Sequence, residues 1–207
     1  RFLGFVETDT ENEKVLTQFL RSLIERGLDV SQGLLVVIDG GKGLRAAVKQ
    51  VLPKRSVVQR CMWHKRENVI SYLAKGEQAQ WRWRLQKAYD RPTYPEAKAA
   101  LLKLHGELEN RNQSAAASLA EGMEETLSLH RLGIYSILGR SFRTTNCIES
   151  VNALIEERCA KVDSWKSSHQ RQRWLATALL DIEPRLRRVK GHQHLSKLQS
   201  ALRSALN

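Results

Sequence analysis

The stretch Leu34-Leu35-Val36-Val37-Ile38-Asp39, followed at once by Gly40-Gly41-Lys42-Gly43, constrains the fold more than any other. Five β-branched or leucine side chains in a row leave no polar face, so the run reads as a strand buried on both sides, as in a parallel sheet. Parallel strands need crossover connections, which are commonly helices. The sequence supplies them: an apolar stripe of Val15, Leu16, Phe19, Leu20, Leu23 and Ile24 before the strand, and Leu44, Ala47, Val48, Val51 and Leu52 after it. Phe2–Val6 and Val57-Val58 read as two further short strands, so the first third predicts an α/β alternation. Thr10 as N-cap with Glu13 three residues on predicts a capping box for the first helix, with Gly27 as its stop.

From residue 67 onward the pattern changes. Segments 64–74, 77–89, 95–110 and 114–129 are rich in helix formers, Pro95 suits a first helical turn, and residues 147–159 and 167–182 are helical again before a basic tail beyond Pro184. The reading is a partial α/β core over 1–66, an all-helical insertion over 67–143, and a C-terminal helical part of the core over 144–207.

A carboxylate at the carboxyl end of a parallel strand stands where open α/β sheets place their ligands. Asp39 is therefore a candidate site residue, although Asp before Gly also occurs in ordinary turns. The glycines lack the Gly-x4-Gly-Lys-Ser/Thr spacing of a phosphate loop. A second carboxylate, Glu149, stands in Thr144-Thr145-Asn146-Cys147-Ile148-Glu149-Ser150. Asn146 and Glu149 have the spacing of a helix N-cap and its N3 partner, which explains a Glu there on structural grounds alone. The first turn of a helix is also a rigid mount for a metal-binding carboxylate. Cys61 and His64 share one helical face, but no second tight pair completes a zinc site, so packing or support of the site is favoured for them.

Thirty-four basic against 22 acidic residues give a net charge of +12, carried along the whole chain. Such a field favours polyanions, nucleic acid first. Lys42, Arg143, Arg187 and Arg188 are candidate phosphate contacts, the last two within Arg185-Leu186-Arg187-Arg188-Val189-Lys190. Trp81-Arg82-Trp83-Arg84 interleaves aromatics with cations as single-strand binders do, yet helical spacing favours one Trp in the core and the cations in solvent. Three scattered cysteines fit a reducing compartment rather than a disulfide framework. No apolar run reaches bilayer length.

The ordered stretches Val37–Leu44, Val58–Asn68 and Arg143–Asn152 resemble the Mutator-type DDE transposases of bacterial insertion sequences. The resemblance covers essentially the whole chain. It implies an RNase H-like fold with a helical insertion before the last acidic residue. Asp39 matches the second acidic residue of the DDE set, Glu149 the third, and Cys61 and His64 the family's C-x2-H signature. It also implies two Mg2+ ions (Mn2+ as substitute), DNA cleavage and strand transfer, terminal inverted repeats and target DNA as partners, a homodimer or larger synaptic assembly, and a cytoplasmic protein associated with the nucleoid. The first Asp of the set is expected upstream of Arg1, on a strand this sequence lacks; Asp9 stands in the wrong context for it. The expectation is therefore an incomplete RNase H-like core, inactive by itself, with a gap in its sheet. The alternatives are a non-catalytic DNA-binding remnant or regulator of the same element, and another RNase H-like nuclease such as a junction resolvase.

Overall fold

The computed structural model describes residues 1–8, 10, 12–160 and 162–206; Asp9, and Glu11 of the expected capping box, lie outside the described residues. In chain order the elements are α1 (Glu13–Glu25), β1 (Leu34–Ile38), α2 (Lys42–Val51), β2 (Ser56–Arg60), α3 (Met62–Ile70), α4 (Lys75–Tyr89), α5 (Tyr94–Glu109), α6 (Gln113–Ala120), α7 (Met123–Thr126), α8 (Ser128–Arg131), α9 (Tyr135–Phe142), α10 (Asn146–Cys159), α11 (Ser168–Ile182) and α12 (Leu195–Leu206). Short 3-10 turns at Glu183–Arg185 and His192–His194 link α11 to α12.

The sheet is small. β1 and β2 pair in parallel, from Leu34 opposite Ser56 to Ile38 opposite Arg60. α1 lies along α2, where the Thr17 hydroxyl donates to Gln50 Oε1 at 2.9 Å. Helices beside a parallel pair are compatible with the α/β expectation, although most of the protein is helical. Two details of that expectation change. Residues 1–8 form no strand: the segment lies against α1, with Arg26 donating to the Leu3 carbonyl at 2.7 Å, and Glu7 ion-pairs with Arg171 of α11. A strand needs a neighbour to satisfy its backbone, and none stands beside this segment among the described residues. β1 is also not buried on both faces: Leu34 to Val37 are half-buried and Ile38 alone is fully enclosed. The apolar run is longer than the cover that a two-stranded sheet receives.

The cap of α1 is Asn12 rather than Thr10. Its Oδ1 accepts from the amides of Lys14 at 2.9 Å and Val15 at 3.4 Å, which leaves Glu13 as the first helical residue. Both residue types cap well, and position decides between them.

Helices α3 to α7 enclose the larger core. Trp81, Leu85 and Tyr89 of α4 meet Leu101, Leu104 and Leu108 of α5, with Val69, Ile70, Leu119 and Leu127 around them. α5 starts with a true capping box: Thr93 Oγ1 accepts from the Glu96 amide, and Glu96 Oε2 accepts from the Thr93 amide, with Pro95 in the first turn. Trp81 is buried while Trp83 is 63% exposed. Arg82 ion-pairs with Glu67 and Arg84 with Glu107, so that segment divides into one core anchor and a solvated face. The expected single helix over 114–129 is instead broken into α6, α7 and α8, because Gly122 sits at φ 70° and turns the chain.

The tail beyond Pro184 is likewise not a free basic arm. Leu202 of α12 is buried, and Leu198 and Ala201 pack against Leu129, Ile134 and Leu138 beside Leu35 of β1. The apolar positions 195, 198, 202 and 206 give α12 one sticky face, which its exposed Lys and Arg neighbours mask in a reading by charge. α9 was not anticipated either. Among the described residues no helix is long and apolar enough to cross a membrane.

Candidate active site

Asp39 leaves the end of β1 and is exposed; its Oδ1 accepts the Gly41 amide at 3.1 Å. This Asx turn fixes the carboxylate's base. Two backbone links then bring distant segments to it. The Cys61 amide donates to the Ile38 carbonyl at 2.7 Å, tying the end of β2 to the end of β1. The Met62 amide donates to the Arg143 carbonyl at 2.9 Å, which ties the start of α3 to the segment entering α10. α10 in turn starts at Thr145, whose carbonyl accepts the amides of Ile148 and Glu149.

The result is a cleft of about 440 Å3 lined by Asp39, His64, Thr145, Cys147, Glu149 and Asn152, with Ile38 and Leu44 among its apolar wall. The two carboxylates predicted from sequence thus share one cleft, with His64 between their elements. Glu149 lies in the first turn of α10, where the helix's positive end favours a negative group. The N-cap is Thr145, not Asn146, so the predicted Asn146–Glu149 capping pair does not form.

Thr145 was not anticipated, and it is the hub. Its hydroxyl is buried, 2.7 Å from Glu149 Oε1, 3.3 Å from His64 Nδ1 and 3.5 Å from Cys61 Sγ. A hydroxyl has one proton to give. The short contact to the Glu149 carboxylate takes it. Glu149 Oε1 is also 3.9 Å from His64 Nε2. Cys61 is wholly buried behind this group and half-exposed His64 faces the cleft. Trp63, exposed on the first turn of α3, packs edge-on to His64 at 4.8 Å between ring centroids.

Among the described residues no three His, Cys, Asp or Glu side chains stand close enough together to cage a metal. The donor set therefore does not match a closed zinc site. Asp39 and Glu149 present the hard oxygen donors that Mg2+ takes, an ion commonly held by one or two carboxylates with waters and substrate phosphates.

The basic candidates divide. Lys42 opens α2 in an exposed position two residues past Gly40. Arg143 is half-buried and its guanidinium is already engaged, 2.8 Å from Asp90 Oδ1 and 3.1 Å from the Tyr135 hydroxyl. Arg187 and Arg188 are exposed beyond the first 3-10 turn and do not line the cleft.

Beneath the Asp39 turn lies a charged cluster that sequence reading missed. Arg60 and Lys65 are 5% and 0% exposed, and both reach Glu121 Oε2, at 2.8 and 2.9 Å. Lys65 Nζ also donates to the Ser118 carbonyl at 2.6 Å. Burial pushes the Lys65 ammonium below its ordinary value, against the pull of Glu121. Burial alone would raise the Glu121 carboxyl; the bonds from Lys65 and Arg60 outweigh it and hold the group below the usual carboxylate range. Nothing but tertiary packing marks these residues, since Arg and Lys in sequence ordinarily read as surface.

A family profile described as "Transposase, Mutator family" matches residues 1–186. The chain is 29% identical over 151 residues to the transposase for insertion sequence element IST2 of Acidithiobacillus ferrooxidans, covering 73% of this chain and 50% of the relative. It is 28% identical over 187 residues to the transposase for insertion sequence element IS256 in transposon Tn4001 of Staphylococcus aureus, covering 87% and 45%. The transposase for insertion sequence element IS6120 of Mycolicibacterium smegmatis is 25% identical over 191 residues, covering 92% and 57%. The chain thus spans about half the length of the curated relatives it matches. With the profile running over most of its length and the three sequence motifs meeting around one cleft, the chain belongs to the Mutator family of transposases.

Proposed function

We propose that this chain carries part of the catalytic region of an insertion-sequence transposase of the DDE type, built on an RNase H-like core, which cuts and joins DNA. The observation that carries the reading is the cleft where Asp39 and Glu149 meet from β1 and α10. Divalent cations, two Mg2+ or Mn2+ in their place, would supply Lewis-acid stabilisation of the attacking and leaving oxygens of an in-line phosphoryl displacement. The chain's own groups do the rest. Asp39, braced by the Gly41 amide, and Glu149, aimed by the Thr145 hydroxyl, offer hard oxygen ligands from two rigid mounts. His64 stands beside Glu149, its Nε2 3.9 Å from Oε1. The excess positive charge draws DNA to the protein. The partners proposed are terminal inverted repeats and target DNA, bound by a dimer or larger assembly.

The test is cleavage of DNA bearing the element's ends, using the protein from its full reading frame. Asp39→Asn and Glu149→Gln should each abolish Mg2+-dependent cleavage while leaving DNA binding intact. Cleavage at the normal rate in both variants refutes the site. A second reading, a DNA-binding remnant or regulator without catalysis, draws on the net charge of +12. Salt-sensitive DNA binding without any cleavage by the unsubstituted protein would select it.

A further inference from the structure

We infer that Arg60 is a positioning residue for Asp39: its buried guanidinium, locked by Glu121, props the Gly40 turn from beneath and so fixes the aim of the carboxylate. The inference rests on the reading of Asp39 as a cation ligand. Arg60 ends β2 as the register partner of Ile38, the residue before Asp39. Its side chain turns under the loop that follows. A Cβ on Gly40 would lie 2.5 Å from Arg60 Nε and 2.7 Å from Nη2. On the other side, a Cβ on Gly122 would lie 2.5 Å from Nη1. Both glycines have positive φ, 116° and 70°, so two turns have given up side chains to close on one planar group.

The grip is also electrostatic. Nη1 is 2.8 Å from Glu121 Oε2 and donates to the Glu121 carbonyl at 3.3 Å. The same carboxylate oxygen holds Lys65, which is anchored in turn to Ser118 of α6. The guanidinium therefore belongs mechanically to the helical body rather than to the loop it supports. Nε, by contrast, is buried without a hydrogen-bond partner. An unpaired buried donor costs stability that an apolar filler would not. What an apolar filler cannot supply is a flat group of fixed orientation under Gly40. A flexible loop would let the Asp39 carboxylate wander; one pressed on a guanidinium held at its far end cannot.

The probe is Mn2+, read in the full protein as paramagnetic broadening of the Asp39, Gly40 and Gly41 amide signals. The second readout is the exchange rate of the Gly41 amide proton, which bonds to Asp39 Oδ1. Both are measured in the unsubstituted protein, in Asp39→Asn, and in two Arg60 variants. Arg60→Lys keeps a cation for Glu121 but loses the planar edge against Gly40; Arg60→Met fills the space without charge. Each Arg60 variant is expected to need about tenfold more Mn2+, the loss usual when a group orienting a ligand is removed, and to speed Gly41 exchange, with Arg60→Lys melting close to the unsubstituted protein. Unchanged Mn2+ midpoints and unchanged Gly41 exchange in the folded variants would overturn the inference. So would unfolding of both, because Arg60 would then serve stability rather than aim. If Asp39→Asn broadens as the unsubstituted protein does, the cation reading of Asp39 fails instead, and the Gly41 exchange rates alone decide whether Arg60 holds the turn.

Discussion

Glu121→Gln tests the charge cluster on which the interior of this protein turns. One carboxylate oxygen faces two cations, Arg60 Nη1 at 2.8 Å and Lys65 Nζ at 2.9 Å. Both cations are buried, whereas the Glu121 side chain is 47% exposed. Removing one member of a buried ion pair costs roughly 3–5 kcal/mol, because the partner is left charged and dry. Two features lower that figure here: water screens the carboxylate side, and a glutamine oxygen still accepts one hydrogen bond. We therefore expect a loss of roughly 2–3 kcal/mol, just below the buried-pair range. For a chain of this size that is a fall in melting temperature of roughly 5–10 °C. Lys65→Met should cost less, about 1–2 kcal/mol, because the half-exposed Glu121 keeps Arg60 and the main loss is the donor to the Ser118 carbonyl. In the Lys65→Met background, Glu121→Gln strands one cation rather than two. Its cost should then shrink by at least about 1 kcal/mol, a coupling within the range seen for groups sharing one network. Urea and thermal unfolding of the four proteins give the cycle. Melting of Glu121→Gln within about 1 °C of the unsubstituted protein, at most half the shift expected for even 1 kcal/mol, would refute the argument. An equal cost of Glu121→Gln in both backgrounds would do so too.

Two further outcomes follow from other parts of the molecule. His130 is buried, stacked on Tyr135 at 3.7 Å and bonded through Nε2 to the Arg91 carbonyl at 2.9 Å; burial holds its pKa below the ordinary 6.5, so its contribution is complete above that value and is lost as pH falls through the window beneath it. Urea unfolding should therefore show a loss of stability between neutral and mildly acid pH that is smaller in His130→Gln, and equal slopes would exclude the buried neutral ring. Arg187 and Arg188 are exposed outside the cleft; if they meet phosphates, the Arg187→Ala/Arg188→Ala pair should lower the slope of log affinity against log salt by about 2, and an unchanged slope in fluorescence anisotropy would remove them from the DNA path.

Part of this architecture could be read from local sequence because its cause is local. The apolar run before Asp39 reads as a strand, the stripes of α1 and α2 stand at helical spacing, and helix formers mark α4 and α5. The helix boundaries that failed were decided by single residues in competition. Asn12 rather than Thr10 caps α1, Thr145 rather than Asn146 precedes α10, and Gly122 splits the expected 114–129 helix. Of the residues gathered at the cleft, Asp39, Glu149, Cys61 and His64 stand out in the sequence. Thr145 does not, because it has no sequence mark that separates it from Thr144.

The sequence by itself determined that this protein joins a strand ending in Asp39 to a long series of helices, and that Glu149 begins one of them. Those are properties of short windows, set by apolar period and helix-starting residues. Only the tertiary structure decided that the strand is half-covered, that the basic tail folds back as α12, and that Arg60 and Lys65 lie inside on a shared carboxylate. Such placements depend on which surfaces remain to be covered once the elements exist. A charged side chain goes inside when a partner at the right distance offsets its dehydration, and that partner, Glu121, stands on a turn far along the chain.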